Sequence, residues 1–179
     1  MPMSVMTPNV RQSDHRGLVG AVMSQSAVII ANETEISCHL EELENLARFL
    51  ISELSLHPEV ELGIRLVGVE EMTELHLTWM HEPGPTDVLS FPMDEIRSAP
   101  PGVEPERGIL GDIVLCPQVA HLQAGEAGRS LDQELQYLMT HGMLHLIGYD
   151  HMTDLEHEQM FTLTDQLLER WHESGQVTR

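Results

Sequence analysis

Short apolar runs alternate along the chain with longer segments whose apolar residues recur every three or four positions, a pattern that predicts strands interleaved with helices. "SAVIIAN" (26–32) reads as a first strand. In "SCHLEELENLARFLISELSL", Leu40, Leu43, Leu46, Ala47, Leu50 and Leu54 mark one face of a helix. Ser37 is its expected N-cap, and Glu41 and Glu42 sit in the first turn, where the helix dipole favours them. "VELGIRLVG" (60–68) alternates as a second strand, and "VEEMTELHLTWM" (69–80) follows as a short helix broken by "EPGP" (82–85). "TDVLSFPM" (86–93) is a third strand ending near Pro92. Residues 94–108, rich in Pro, Gly and charge, form a surface loop expected to be mobile. "ILGDIVLCP" (109–117) is apolar almost throughout, as a strand inside a sheet would be. A helix over 118–128 precedes a second one, capped by Ser130 or Asp132, with Leu135, Leu138 and Met139 toward a core and Gly148 as its stop. A last helix over 153–171 carries Leu155, Phe161, Leu163, Leu167, Leu168 and Trp171. The expected class is α+β: a single layered domain with about four strands and about five helices.

Composition narrows the class. Aromatics make up only 4% of 179 residues, so aliphatic side chains and Met must fill the core. The formal charge is −20, from 29 acidic residues against 9 basic ones, all of them Arg. Such a surface is soluble and repels polyanions at long range, which argues against generic nucleic-acid binding. The two cysteines, Cys38 and Cys116, form no CxxC pair and read as small buried hydrophobes of a protein in a reducing cytosol. No apolar run approaches the ~18 residues of a membrane span. "GLVGAVMSQSAVII" fails as a secretory signal because Ser24, Gln25 and Ser26 interrupt it. Residues 1–25 are therefore expected to be a disordered extension, or sequence upstream of a start at Met23, with the domain over 26–172 and a tail over 173–179.

The chemistry concentrates in "HGMLHLIGYDH" (141–151). A helix turns ~100° per residue, so His141 and His145 share a face one turn apart. Gly148 ends the helix and lets the chain swing back to present His151. Three neutral imidazoles suit Zn²⁺ with its fourth tetrahedral position open to solvent, and would also accept Ni²⁺. The residue after the first His is Gly142, where a zinc peptidase carries Glu. Peptide hydrolysis needs a positioned acid for its poor leaving amine, so this absence counts more against a peptidase than against a nuclease. Asp150 adjoins the third His as a turn residue at the helix exit, or else as a partner of the ligand shell or a base. Asp112, inside an apolar strand, either supports a ligand His or lies at a solvated strand start. His157, on the following helix, reads as a surface residue, with a fourth ligand as the lesser alternative.

The histidine block, with "PTDVLSF" (85–91) and "LGDIVLC" (110–116) in order before it, closely resembles the YbeY family of bacterial metal-dependent endoribonucleases of rRNA maturation. The resemblance spans roughly residues 27 to 171. It implies a small mixed central β-sheet packed by helices, a metal site at a cleft, and His141, His145 and His151 as the ligands of one Zn²⁺. It also implies single-strand-specific cleavage in maturation of the 16S rRNA 3′ end and in ribosome quality control. The implied partners are single-stranded rRNA and the small ribosomal subunit, with the Era GTPase and a small-subunit ribosomal protein, in the cytoplasm and away from membranes. Thr86, Asp87 and Ser90 are candidates for lining the cleft. One position departs from the pattern. Enterobacterial members carry an Arg before the "PT" block, and here Met80 stands in its place, leaving Arg65, Arg97 or Arg107 to substitute through space. Two other readings stay open: a ribosome-assembly factor with a mainly structural metal, and a metal-dependent hydrolase of another class, such as a peptidase.

Overall fold

Runs rich in Val, Ile and Leu form four strands, β1 (Ala27–Asn32), β2 (Glu61–Leu66), β3 (Val88–Pro92) and β4 (Ile109–Leu115). Where the apolar spacing changes to three and four, the chain forms α1 (Leu40–Glu53), α2 (Val69–Met80), α3 (Pro117–Ala127), α4 (Leu131–Leu146) and α5 (Asp154–Glu173). The computed structural model describes residues 27–150 and 152–175, so the expected N-terminal extension lies outside the described residues. The sheet order is β1-β2-β4-β3, with β1, β2 and β4 parallel and β3 antiparallel to β4. The class is α+β, with the four strands and five helices that the pattern predicts.

Alternation divides the sheet into two unequal faces. Leu62, Ile64 and Leu66 of β2, with Leu110, Ile113 and Leu115 of β4, meet Leu46 and Leu50 of α1, Leu135 and Met139 of α4, and Leu167 and Trp171 of α5 in one large core. On the other face Leu89, Val114 and Cys116 pack with Met72 of α2 in a much smaller cluster. Each fully buried aliphatic side chain contributes roughly 1.5–3 kcal/mol, so the three-helix face holds the domain together. Cys38 and Cys116 are both free thiols; Cys116 is buried as expected, whereas Cys38 is only half-buried.

Asp112 follows the parity of Val114, so it belongs to the α2 face, away from α4. It therefore supports neither His141 nor His145 of α4, and it lies mid-strand rather than at a solvated start. Its carboxylate lies over Gly63, where a methyl group would collide with it.

Ser37 is not the N-cap of α1. The helix begins later, with His39 at the cap and no side-chain cap bond. A distant carboxylate takes over: Asp132 accepts from the His39 backbone N–H at 3.2 Å and lies 2.8 Å from its ring Nδ1. Ser130, not Asp132, caps α4. Its hydroxyl accepts from the Gln133 N–H, and the Gln133 side chain accepts from the Ser130 N–H. Ser130→Ala is expected to cost about 1 kcal/mol in urea unfolding. A loss of a few tenths or less would show that the box adds nothing.

The core stripe of α5 is Met160, Thr164, Leu167 and Trp171. Leu155 is 64% exposed and borders a shallow groove beside Tyr149, because the packed stripe starts only at Met160. The 94–108 loop runs over the surface but is pinned at Ile96, which is buried in the large core. The Ile109 N–H also donates to Asp94 Oδ2 at 2.8 Å.

Candidate active site

Helix α4 packs its buried side on β3 and β4 and turns its remaining stripe toward a cleft of about 780 Å³. Glu134, Leu138, His141 and His145 recur at spacings of four, three and four on that stripe, and all line the cleft. Asp87, Ser90 and Phe91 of the β3 segment form the opposite wall, with Met80 from the end of α2. Of the three residues expected near the cleft in the "PTDVLSF" block, Asp87 and Ser90 line it. The Thr86 hydroxyl instead donates to Asp87 Oδ1 at 3.1 Å.

Gly142 explains how close this packing is. A Cβ at that position would stand 2.9 Å from Ser90 Oγ, 3.2 Å from Ile113 Cγ2 and 3.3 Å from Val88 Cγ2. The Ser90 hydroxyl donates to the Gly142 carbonyl at 3.0 Å, across the gap that the missing side chain leaves. The position beside His141 thus faces the sheet, and the glutamate of a zinc peptidase has no room there.

The helix closes with two backbone bonds, Gly148 N–H to the His145 carbonyl and Tyr149 N–H to the Leu144 carbonyl, both 3.0 Å. Gly148 adopts φ +94°, a left-handed conformation that glycine reaches without strain. This turn carries the Tyr149 carbonyl back over the helix end, 3.0 Å from His145 Nδ1. A carbonyl only accepts, so Nδ1 is the protonated nitrogen, and the neutral ring carries its lone pair on Nε2. The His141 and His145 ring centroids are 4.9 Å apart at 84°. Two imidazoles on one tetrahedral ion, with bonds of ~2.0–2.1 Å, have centroids roughly 5 Å apart. The pair therefore fits a shared metal. Among the described residues no group of three or more His, Cys, Asp or Glu side chains gathers at such a point, and His151 lies outside the described residues. Asp150 lines the cleft, and His157 stacks on Phe161, which also borders His141.

Glu134 escaped the sequence reading, although its spacing of seven from His141 places it on the same face. It is 3% exposed, and burial pushes its carboxyl above the ordinary value of 4.5, against the pull of Arg129 and with a further push from Asp87. Arg129 Nε lies 3.0 Å from Glu134 Oε2, yet that oxygen accepts no hydrogen bond, so the N–H is not aimed at it. Between pH 4.5 and its raised folded value, the native protein keeps a proton that the unfolded chain releases. Stability accordingly falls as pH rises through that window, and the penalty is complete above it. Glu134→Gln should abolish this slope, so urea unfolding at several pH values should show the variant gaining on the wild type from pH 4.5 upward. Parallel curves would refute it.

Fold and cleft together define a one-sheet α+β domain whose central helix presents a paired-histidine face to a deep groove. The chain belongs to the endoribonuclease YbeY family, whose profile matches residues 28–172. It is 51% identical over 148 residues to the endoribonuclease YbeY of Thermobifida fusca, covering 83% of this chain and 96% of that one. It is 49% identical over 155 residues to the endoribonuclease YbeY of Nocardia farcinica, covering 86% and 84%. A Thermotoga maritima protein solved in solution superposes with a TM-score of 0.52 at 25% identity, over 85% of this chain and 96% of that one. No helix among the described residues is long and apolar enough to cross a membrane.

Proposed function

We propose that the chain is a zinc-dependent, single-strand-specific endoribonuclease that matures the 3′ end of 16S rRNA and serves ribosome quality control in the cytoplasm. Its partners on this reading are the small ribosomal subunit, a small-subunit ribosomal protein and the Era GTPase. The observation that carries the metal-dependent part is the His145 ring, tied at Nδ1 to the Tyr149 carbonyl beside His141. Membership of an endoribonuclease family supplies the substrate class. A zinc ion held by His141, His145 and His151 would act as a Lewis acid toward a phosphoryl oxygen and bring the pKa of a water near ~7, which makes a nucleophile without a neighbouring glutamate.

The protein's own residues do the rest. Gly142 and Ser90 seat α4 on the sheet and so aim the histidine stripe into the cleft. Phe161 and Tyr137 flank His141 and keep bulk water from one side of it. Glu134 lies seven residues from His141, ~10 Å along the helix, so it meets a neighbouring nucleotide rather than the scissile group. Burial shifts its carboxyl toward the protonated form, in which it donates a hydrogen bond. Trp79 is 62% exposed and packs edge-on against Phe91 of the cleft wall, a surface on which an unpaired base can stack.

The test is zinc-loaded full-length protein incubated with a single-stranded oligoribonucleotide, its duplex, and casein. Cleavage of the single strand, lost on chelation, is the expected result. Metal-dependent cleavage of casein but not RNA would overturn the reading in favour of a peptidase.

A further inference from the structure

In a chain where carboxylates outnumber guanidinium groups 29 to 9, nearly every arginine should find a carboxylate. Arg48, Arg65, Arg107, Arg129 and Arg170 each pair with at least one glutamate. Arg97 is the one arginine among the described residues that pairs with none. Its position is also singular. The buried Ile96 fixes the loop at its base, and Arg97 Nη1 donates to the Ile96 carbonyl at 3.0 Å. The guanidinium then lies against Gly148, which itself lines the cleft. A Cβ on Gly148 would stand 2.6 Å from Arg97 Cζ, 2.7 Å from Nε and 2.9 Å from Nη2. The same glycine turn that ends α4 behind the histidine pair is thus also the seat of this side chain.

A polyanion gains nothing from the long-range field of this protein, so it must be held by short-range contacts. A guanidinium offers five N–H donors in a planar fork that matches two phosphate oxygens, and Nη1 has used one. Met80, on the cleft wall, brings no charge. We infer that Arg97 is a phosphate-binding residue of the cleft, gripping a phosphodiester of the RNA beside His141 and His145. The inference rests on the nuclease reading above.

Initial-rate cleavage of a labelled single-stranded oligoribonucleotide by the zinc-loaded full chain, across a salt series, tests it. Arg97→Gln is expected to lower kcat/KM about tenfold, with most of the loss in KM, and to make the slope of log(kcat/KM) against log[salt] shallower by ~0.7, one phosphate contact on a single strand. Arg97→Lys should recover part of the rate, because it keeps the charge and loses the fork. Arg107→Gln removes the same unit of charge from an arginine paired with Glu59 and should stay within about twofold of wild type. Thermal unfolding of each variant checks that the fold is intact. Equal rates and slopes for Arg97→Gln and Arg107→Gln, with an active wild type, would overturn the role of Arg97 alone. A wild type that cuts no RNA would overturn the nuclease reading, and this role with it.

Discussion

His141→Ala is expected to lower cleavage of single-stranded RNA roughly a thousandfold, the scale of losing a main charge-stabilising group from an active site. The ring is half-buried in the cleft, flanked by Tyr137 and Phe161, and outside the large core. Metal-free variant and wild type should therefore unfold at similar temperatures. The discriminating readout is the response to zinc. A ligand at a hundred times its dissociation constant stabilises the native state by ~2.7 kcal/mol, and that gain should appear in the wild type and vanish in the variant. Retained cleavage together with a retained zinc-dependent shift would remove His141 from the site. A variant that fails to fold even without zinc would point instead to a mainly structural role for this part of α4.

Gly142→Glu is expected to abolish the native state. Even Gly142→Ala should destabilise. Alanine in a helix gains about 1 kcal/mol over glycine, but forcing atoms into a packed contact costs about 1–3 kcal/mol. The methyl group would meet Ser90 Oγ at 2.9 Å and two side chains of the sheet at 3.2 and 3.3 Å. The sum is a net loss of about 1 kcal/mol in urea unfolding for alanine. Glutamate adds a buried carboxylate with nowhere to go, which raises the loss beyond ~5 kcal/mol, about the whole stability of many domains. An alanine variant more stable than wild type would show that α4 does not touch the sheet at this point. The missing glutamate of "HGMLH" is thus a consequence of helix–sheet contact and leaves the nucleophile to be made by other means.

Much of this was legible without coordinates. α2 falls on residues 69–80 as the apolar spacing predicts, and each strand lies within its expected segment. The Ser130–Gln133 box and the Gly148 turn are local chemistry, written within a few residues of where they act. So is the shared face of His141 and His145, which follows from helix pitch alone. The start of α1 was not legible, because its cap comes from Asp132, 93 residues away. Nor was the face of Asp112, which depends on the bulge between Glu61 and Leu62 as well as on strand parity. Glu134 was within reach through its spacing, but only the walls of the cleft show that it is buried there.

The sequence by itself determined the order of the elements, the glycine stop of α4, the one-turn spacing of the two histidines and the family. All of these are set by periodicity and by bonds spanning four or five residues. The tertiary structure alone decided that Gly142 seats α4 on β3, that burial raises the Glu134 carboxyl, and that Arg97 lies on Gly148. Those depend on which surfaces meet across 50 residues or so, as between Ser90 and Gly142, 52 apart. Local pattern says which face of an element is apolar, but packing decides what that face touches and how much water remains beside it.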